Sequence, residues 1–359
     1  MFLKNCWYVA AWDYELIDGK LLARTLLGEH VLLYRGDSGQ VIAMNNRCPH
    51  RGALLSEGRR EGDSIRCMYH GIKFDHTGKC AHIPGQDMIP PKLRVRKYPI
   101  VESGHLIWIW MGDPARADRA LITEFAPLHD PKWKGLPAYL HYDANYLLIV
   151  DNLSDFSHLA FVHTHTLGGS EDYAYVTKPI VVEKQERGFR VERWHMNCEP
   201  PPFHKRVVPE KDARLDRRNI ATMLIPGIFY METLFAPAGQ GAEQGKVENA
   251  REYRNCQYMT PETERTTHFF WNYLNNFEGE DSTISRSLLN SLIEGFLEDK
   301  AIIERQQKTF EEDPSFQPLA VLADAPLAHF RRVLGKLIES EQAEAAAPAA
   351  AAARVAAPA

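Results

Sequence analysis

Apolar and polar positions alternate in short blocks through the first third of the chain. "HVLLYR" is an apolar run, "GDSG" a turn and "QVIAMNNR" a second run, which together predict a β-hairpin. "SIRCMYH", "GIKFDHTGKCAHI" and "RVRKYPIVESGHLIWIWMG" repeat that rhythm, with "HTG" and "ESG" as turns. Residues 20–115 therefore read as all-β, and "GDPARADRALI" marks the passage into a second region. Residues 139–150 predict a strand running into a helix at "DNLSDFSHLAFVH". Residues 176–197, 219–236 and 250–275 alternate as strands do, with a small, polar loop over 237–249. Leu288, Leu292, Phe296, Ile303 and Gln307 form a helical stripe across 282–310, which "EEDPSFQP" ends. The Ala-rich tail contains prolines and has little to pack with, so disorder is expected there. The resulting division is 1–115, 116–338 and a tail of 339–359.

Composition narrows the function classes. The 359 residues are 45% hydrophobic and 25% charged, enough to bury a sizeable core. A net charge of −5 with no basic block gives no sign of nucleic-acid binding. No run approaches the roughly 18 apolar residues of a membrane span. The start, "MFLKNCWYVAAWDYEL", lacks the long apolar core of a signal peptide, so a cytoplasmic location is expected. The six cysteines have no disulfide-framework density.

Two of those cysteines stand apart. "CPHRGALLSEGRREGDSIRCMYHG" holds Cys48-x-His50 and Cys67-x-x-His70, with sixteen residues between the pairs. Two thiolates and two imidazoles suit zinc or an iron–sulfur centre. Zinc fingers usually pair Cys with Cys and His with His, whereas each loop here supplies one of each. That pattern fits a Rieske 2Fe–2S cluster, with both thiolates on one iron and both imidazoles on the other. Gly52 and Gly71 follow the histidines, where backbone amides must come close to the sulfides, and Pro49 stiffens the first loop.

A second constellation lies about a hundred residues later. "DNLSDFSHLAFVHTHTLGG" carries Asn152, Asp155, His158 and His163. Asp155 lies three residues before His158, on one helical face, and the helix is expected to end near Phe161 or Val162 so that His163 turns inward. His165 competes with His163. Two histidines and one carboxylate make a facial triad for non-haem iron(II), which leaves positions open for dioxygen. Glu294, Glu298, Asp299 and Glu304 are all candidates for the carboxylate, and chemistry alone does not choose among them.

Both stretches resemble the ring-hydroxylating and related Rieske oxygenases. The likeness is greatest to the vanillate O-demethylase, dicamba O-demethylase and toluenesulfonate methyl monooxygenase group, whose style is also seen in "NCWYVAAW" and "TPETERTTHFFW". The extra cysteine pair of respiratory Rieske proteins is absent, Ala53, Met68 and Tyr69 standing in those loops. The resemblance implies an α+β chain, an all-β Rieske domain followed by a helix-grip catalytic domain. It implies iron(II) ligation by His158, His163 and Asp299, the last from the "ED" pair that "ERQ" follows. It implies that Asp155 is no ligand but bridges to a cluster histidine of a neighbouring subunit, in a head-to-tail homotrimer. Glu298 and Glu304 are then expected at the surface.

The expected function is that of a terminal oxygenase component that hydroxylates or O-demethylates an aromatic, benzoate-like substrate with O2. No GxGxxG fingerprint is present, so electrons from NADH must come through a separate reductase, carrying flavin and 2Fe–2S, or a ferredoxin. A ring cis-dihydroxylating dioxygenase with the same metals is the alternative, and a Rieske-type electron carrier the remote one. Phe229, Tyr230, Phe269, Phe270, Trp271 and Asn290 are pocket candidates, with core packing or surface the plainer role for each. Arg206, His204 and Arg190 are candidates for meeting a substrate carboxylate, with surface charge the plainer role.

Overall fold

The computed structural model describes residues 1–355 apart from 18, 176–177, 179 and 209–212, and leaves out the side chains of 172 and 347–355. The chain divides into two compact units: Met1–Glu124 with Thr260–Glu264, and Phe125–Met259 with Arg265 onward. The division falls after Glu124 where the sequence pattern suggested 115. The 3-10 turns Pro114–Arg116 and Arg119–Leu121, capped by Asp113 and Asp118, stay with the first unit, where the Trp7 indole donates to the Asp118 carbonyl at 2.8 Å.

The first unit is all-β. Its strands are β1 (Trp7–Trp12), β2 (Leu22–Leu26), β3 (Glu29–Arg35), β4 (Val41–Asn45), β5 (Arg59–Glu61), β6 (Ser64–Arg66), β7 (Lys73–Phe74), β8 (Cys80–His82), β9 (Ile100–Ser103) and β10 (Leu106–Trp110). They form three antiparallel sheets, ordered β1-β10-β9, β2-β3-β4 and β5-β6-β7-β8. The predicted hairpin is β3–β4, with Val31 opposite Asn45 and Arg35 opposite Val41. Leu32, Tyr34, Ile42, Met44, Ile65 and Phe74 pack into one buried cluster that also takes in Cys48 and Cys67. The two thiols are thus anchored by the same apolar burial that holds the strands together.

The second unit is built on a seven-stranded antiparallel sheet. Its strands are β11 (Lys134–Tyr142), β12 (Val181–Gln185), β13 (Gly188–Cys198), β14 (Leu215–Leu224), β15 (Ile228–Pro237), β16 (Arg251–Pro261) and β17 (Thr267–Asn275), in the order β11-β17-β16-β15-β14-β13-β12. The strand read from residue 176 opens on residues outside the description, and the described strand starts at Val181. The helices are α1 (Tyr146–Ser154), α2 (Leu159–Val162), α3 (Pro202–Lys205), α4 (Thr283–Glu312) and α5 (Ala325–Val355). On α4 the positions Leu288, Leu292, Phe296, Asp299 and Ile303 are all buried, an i, i+3, i+4 stripe that faces Phe269 and Trp271 of β17 through Phe296.

One expectation changes: α5 carries the tail as helix to Val355, in keeping with alanine's high intrinsic helix propensity, and 356–359 lie outside the described residues. The front of α5, which the sequence reading passed over, buries Phe330 and Leu334. Its Arg331 also forms an ion pair with Asp151 of α1 at 2.6 Å. Among the described residues no helix is long and apolar enough to cross a membrane.

Candidate metal centres and active-site pocket

The two Cys–His loops close in the same way. The Cys48 amide donates to the Ala53 carbonyl and the Gly52 amide to the Cys48 carbonyl; Cys67 with Ile72 and Gly71 with Cys67 repeat the pattern, all at 2.8 to 3.0 Å. Each turn ends on a glycine of positive φ, +73° at Gly52 and +71° at Gly71, a conformation in which a side chain is strained. The loops hold both thiols in the core and leave both imidazoles exposed, with ring centroids 4.6 Å apart, edge to face. Burial pushes the Cys48 thiol up to about 11, while the backbone amides of His50 and Arg51 donate toward the sulfur and oppose that rise. Amides aimed at sulfur, a sulfur end inside and an imidazole end outside are what a Rieske cluster requires. Cys48, His50, Cys67 and His70 could hold one.

The second constellation converges on a carboxylate. Asn145 caps α1 by accepting from the Leu147 amide at 2.9 Å, and α1 runs only to Ser154. Asp155 leaves the helix, at φ −129° and ψ 112°, and restarts the chain as a 3-10 turn by capping Ser157. Asp155 and His158 therefore do not share one helical face, as the spacing had suggested; an aspartate that caps a turn cannot also continue the helix. α2 then ends at Val162, and the His163 carbonyl accepts from the amides of Thr166, Gly168 and Gly169, which turns the imidazole inward.

Nε2 of His163 lies 3.1 Å from Oδ1 of Asp299, and Nε2 of His158 lies 3.5 Å from the same atom. One donor atom from each of the three falls within 4.8 Å of the others, the arrangement a single ion needs. Both Nδ1 atoms are engaged elsewhere. That of His158 is 2.6 Å from the Asp155 carbonyl, and that of His163 is 2.7 Å from Oε2 of Glu298. An Nδ1–H donated to those acceptors leaves each Nε2 lone pair free for a metal. Asn152 donates to Asp299 at 3.0 Å and fixes the carboxylate. Burial lowers the His158 pKa; at His163 burial acts the same way, but the hydrogen bonds and charges of Asp299 and Glu298 outweigh it and raise the pKa. His158, His163 and Asp299 could hold iron(II).

The other candidates sort cleanly. His165 is exposed, whereas His163 is fully buried. Glu294 pairs with Arg206, and Glu304 pairs with Lys300 and accepts from the Asp143 amide. Glu298, expected at the surface, is one-third exposed and binds Thr166 and His163 through its Oε2. Asp155 is one-quarter exposed, with Arg193 3.8 Å away, and does not line the pocket.

A pocket opens beside the triad. Its floor is one face of the sheet, read at every second residue: Arg217 on β14, Phe229 and Met231 on β15, Asn255 and Gln257 on β16, Tyr273 on β17. Asn152, Leu292 and Phe296 are among the helical residues that close it. Of the aromatic candidates Phe229 alone lines it. Tyr230 faces a different cavity with Phe125 and Trp133, Phe270 contacts Tyr139 and His268, and Phe269 and Trp271 pack on Phe296. Asn290 is exposed. Arg206 and Arg190 pair with surface glutamates, and His204 is buried against Tyr253 and Phe235. Arg217, Asn255 and Gln257 were not singled out from the sequence. Strand alternation puts Asn255 and Gln257 on one face of β16, but shows neither that Arg217 shares it nor which face is the inner one.

Residues 6–99 match the Rieske [2Fe-2S] domain, and 142–340 match the vanillate O-demethylase oxygenase C-terminal domain. The chain belongs to the vanillate O-demethylase group of Rieske oxygenases. Among its relatives is the iron–sulfur subunit of the toluene-4-sulfonate monooxygenase system of Comamonas testosteroni, 43% identical over 95% of this chain and 98% of that one. The oxygenase component of dicamba O-demethylase from Stenotrophomonas maltophilia is 33% identical over 96% of this chain and 99% of that one. The crystal structure of dicamba monooxygenase bound to 3,6-dichlorosalicylic acid superposes with a TM-score of 0.87 at 31% identity, covering 96% of this chain and 99% of that chain. As a member of this group, the Rieske oxygenase described here is the oxygenase component of a monooxygenase system, which uses a Rieske cluster and mononuclear iron and draws electrons from a reductase or ferredoxin.

Proposed function

We propose that this Rieske oxygenase hydroxylates or O-demethylates an anion-bearing aromatic substrate. In this reading the first unit binds the 2Fe–2S cluster through Cys48, His50, Cys67 and His70, and the second binds iron(II) through His158, His163 and Asp299. The observation that carries it is the convergence of two imidazole Nε2 atoms on the Asp299 carboxylate in the wall of an apolar pocket. When bound, the iron supplies dioxygen activation, with electrons stored at the cluster. The protein's own part is positional. Glu298 and the Asp155 carbonyl hold the two Nδ1 protons, and Asn152 holds the carboxylate. Phe229, Met231, Leu292 and Phe296 exclude water and seat the ring, so that the carbon nearest the metal is the one oxidised. A hydroxylated methoxy carbon collapses to a phenol and formaldehyde.

The same proposal extends to the assembly. Electrons come from NADH through a reductase with flavin and 2Fe–2S, or through a ferredoxin, in the cytoplasm. Asp155, partly exposed beside the triad, meets a cluster histidine of a neighbouring copy in a head-to-tail homotrimer, a heterologous contact that closes.

The test supplies the iron-loaded protein with a surrogate reductase and NADH, then offers 4-methoxybenzoate and toluene-4-sulfonate. Formaldehyde or a benzylic alcohol, formed with matching oxygen uptake and lost in Asp299→Ala, is expected. A cis-diol as the product would replace this reading with ring dihydroxylation.

A further inference from the structure

Arg217 is 2% exposed and lines the pocket beside the triad. Its Nε donates to Asn219 Oδ1 at 3.1 Å and its Nη1 to the Tyr173 hydroxyl. The guanidinium lies over the rings of Tyr173 and Phe235, at 4.7 and 5.1 Å from their centroids. All of these neighbours are neutral, and among the described residues no carboxylate lies within ion-pairing distance of Arg217. Buried charges are ordinarily paired, because an unpaired one carries a desolvation penalty of several kcal/mol.

Its surroundings respond to that charge. His195 and His204 are both pushed down to about 3, by burial first, then by Arg217 at His195 and by Arg251 followed by Arg217 at His204, so neither shares the positive charge near neutral pH. Two further polar groups face the same pocket unsatisfied. Oδ1 of Asn255 and Oε1 of Gln257 are buried with no hydrogen-bond partner, on side chains 3% and 2% exposed. Arg217 and, four and six residues further along the register, Asn255 and Gln257 interrupt an otherwise apolar lining.

We propose that Arg217 binds the carboxylate or sulfonate of the aromatic substrate and so sets the enzyme's preference for anionic rings. The guanidinium fork matches either oxyanion. The inference rests on reading this pocket as the substrate site of an aromatic oxygenase. Arg217 acts as a specificity residue and takes no part in the oxidation itself.

Binding rather than turnover tests it. The holoenzyme, without reductase or NADH, is titrated calorimetrically with benzenesulfonate and benzoate, and with their neutral counterparts methyl phenyl sulfone and acetophenone. The wild type is expected to bind the anions at least about tenfold more tightly than the neutral pair, as a charge-assisted hydrogen bond provides. Arg217→Gln is expected to weaken anion binding by roughly 10- to 100-fold while neutral binding stays within about twofold, which also shows that the pocket is intact. Arg206→Gln, which removes a charge outside the pocket, is expected to change neither. If Arg217→Gln binds nothing, Arg217→Lys decides: an anion preference kept there supports the assignment. A wild type without anion preference, or an Arg217→Gln variant that keeps it, overturns it. A wild type that prefers anions yet oxidises no aryl methyl or methoxy compound sinks the proposed reaction and leaves Arg217 standing. Turnover of neutral aromatics with no anion preference does the reverse.

Discussion

Nδ1 of His163 stands 2.7 Å from Oε2 of Glu298, while Nε2 of the same ring points at Asp299, the next residue along α4. Neighbouring residues on a helix are separated by about 100°. One carboxylate thus reaches the inner side of the imidazole and the other its outer side, and the ring is clamped between them. Thr166 adds a hydrogen bond of 2.6 Å to the same Glu298 oxygen. Glu298→Ala is expected to reduce iron affinity roughly 10- to 100-fold, the usual effect of losing a partner behind a metal-binding histidine. Equilibrium dialysis against iron(II), with cluster absorbance as internal reference, measures it. Unchanged affinity would mean that Glu298 does not orient the ring.

The two centres sit in different compact units, so their losses are expected to separate. His158→Ala, His163→Ala or Asp299→Ala should abolish substrate-dependent oxygen uptake and leave a red-brown, reducible protein. Cys67→Ser should bleach the protein while the second unit still binds iron(II). Visible absorption and iron stoichiometry read both. Loss of cluster colour in Asp299→Ala would contradict this independence.

The candidate metal-binding residues stood out in the sequence because each constellation is local. Cys48 with His50, Cys67 with His70, and His158 with His163 each fall within a few residues, and turn chemistry leaves a trace at Gly52 and Gly71. Asp299 needed the family likeness, since four acids on one helix offer the same chemistry. Arg217, Asn255 and Gln257 were illegible for a different reason. They come from two strands separated by β15, where Arg217 pairs with Phe235 while Asn255 and Gln257 pair with Met231 and Phe229, so no sequence spacing links them. The front of α5 did carry a signal, with Leu327, Phe330 and Leu334 at helical spacing, but the Ala-rich run beyond it obscured the pattern.

Gly52 and Gly71 separate strain from space. Both have positive φ, and alanine in that region costs roughly 1–2 kcal/mol. A Cβ at Gly52 meets nothing within 4 Å, whereas one at Gly71 comes within 2.8 Å of Cγ of Pro84. Gly71→Ala is therefore expected to lower the temperature of cluster loss more than Gly52→Ala, by a further overpacking term of about 1 kcal/mol or more. Thermal bleaching of the two variants compares them directly, and equal shifts would show that the Pro84 ring simply moves aside.

Glu29 gives the first unit a defined acid dependence. Burial acts to raise its pKa, but hydrogen bonds from Lys4 at 2.9 Å and the Tyr98 hydroxyl at 2.8 Å, with the charge of Arg96, outweigh it and hold the carboxyl below its ordinary 4.5. A carboxylate whose pKa is lower folded than unfolded stabilises the fold above the unfolded value and loses that contribution as pH falls through the folded one. Glu29→Gln is expected to destabilise by about 1 kcal/mol at pH 7, the scale of one net hydrogen bond. Below about pH 4.5 the gap should narrow, because the wild type then takes up the proton that the variant never needs. Thermal midpoints of both proteins, followed by cluster absorbance from pH 7 down to about pH 4, measure that gap, and a difference that stays constant across the series would rule out Glu29 as its source.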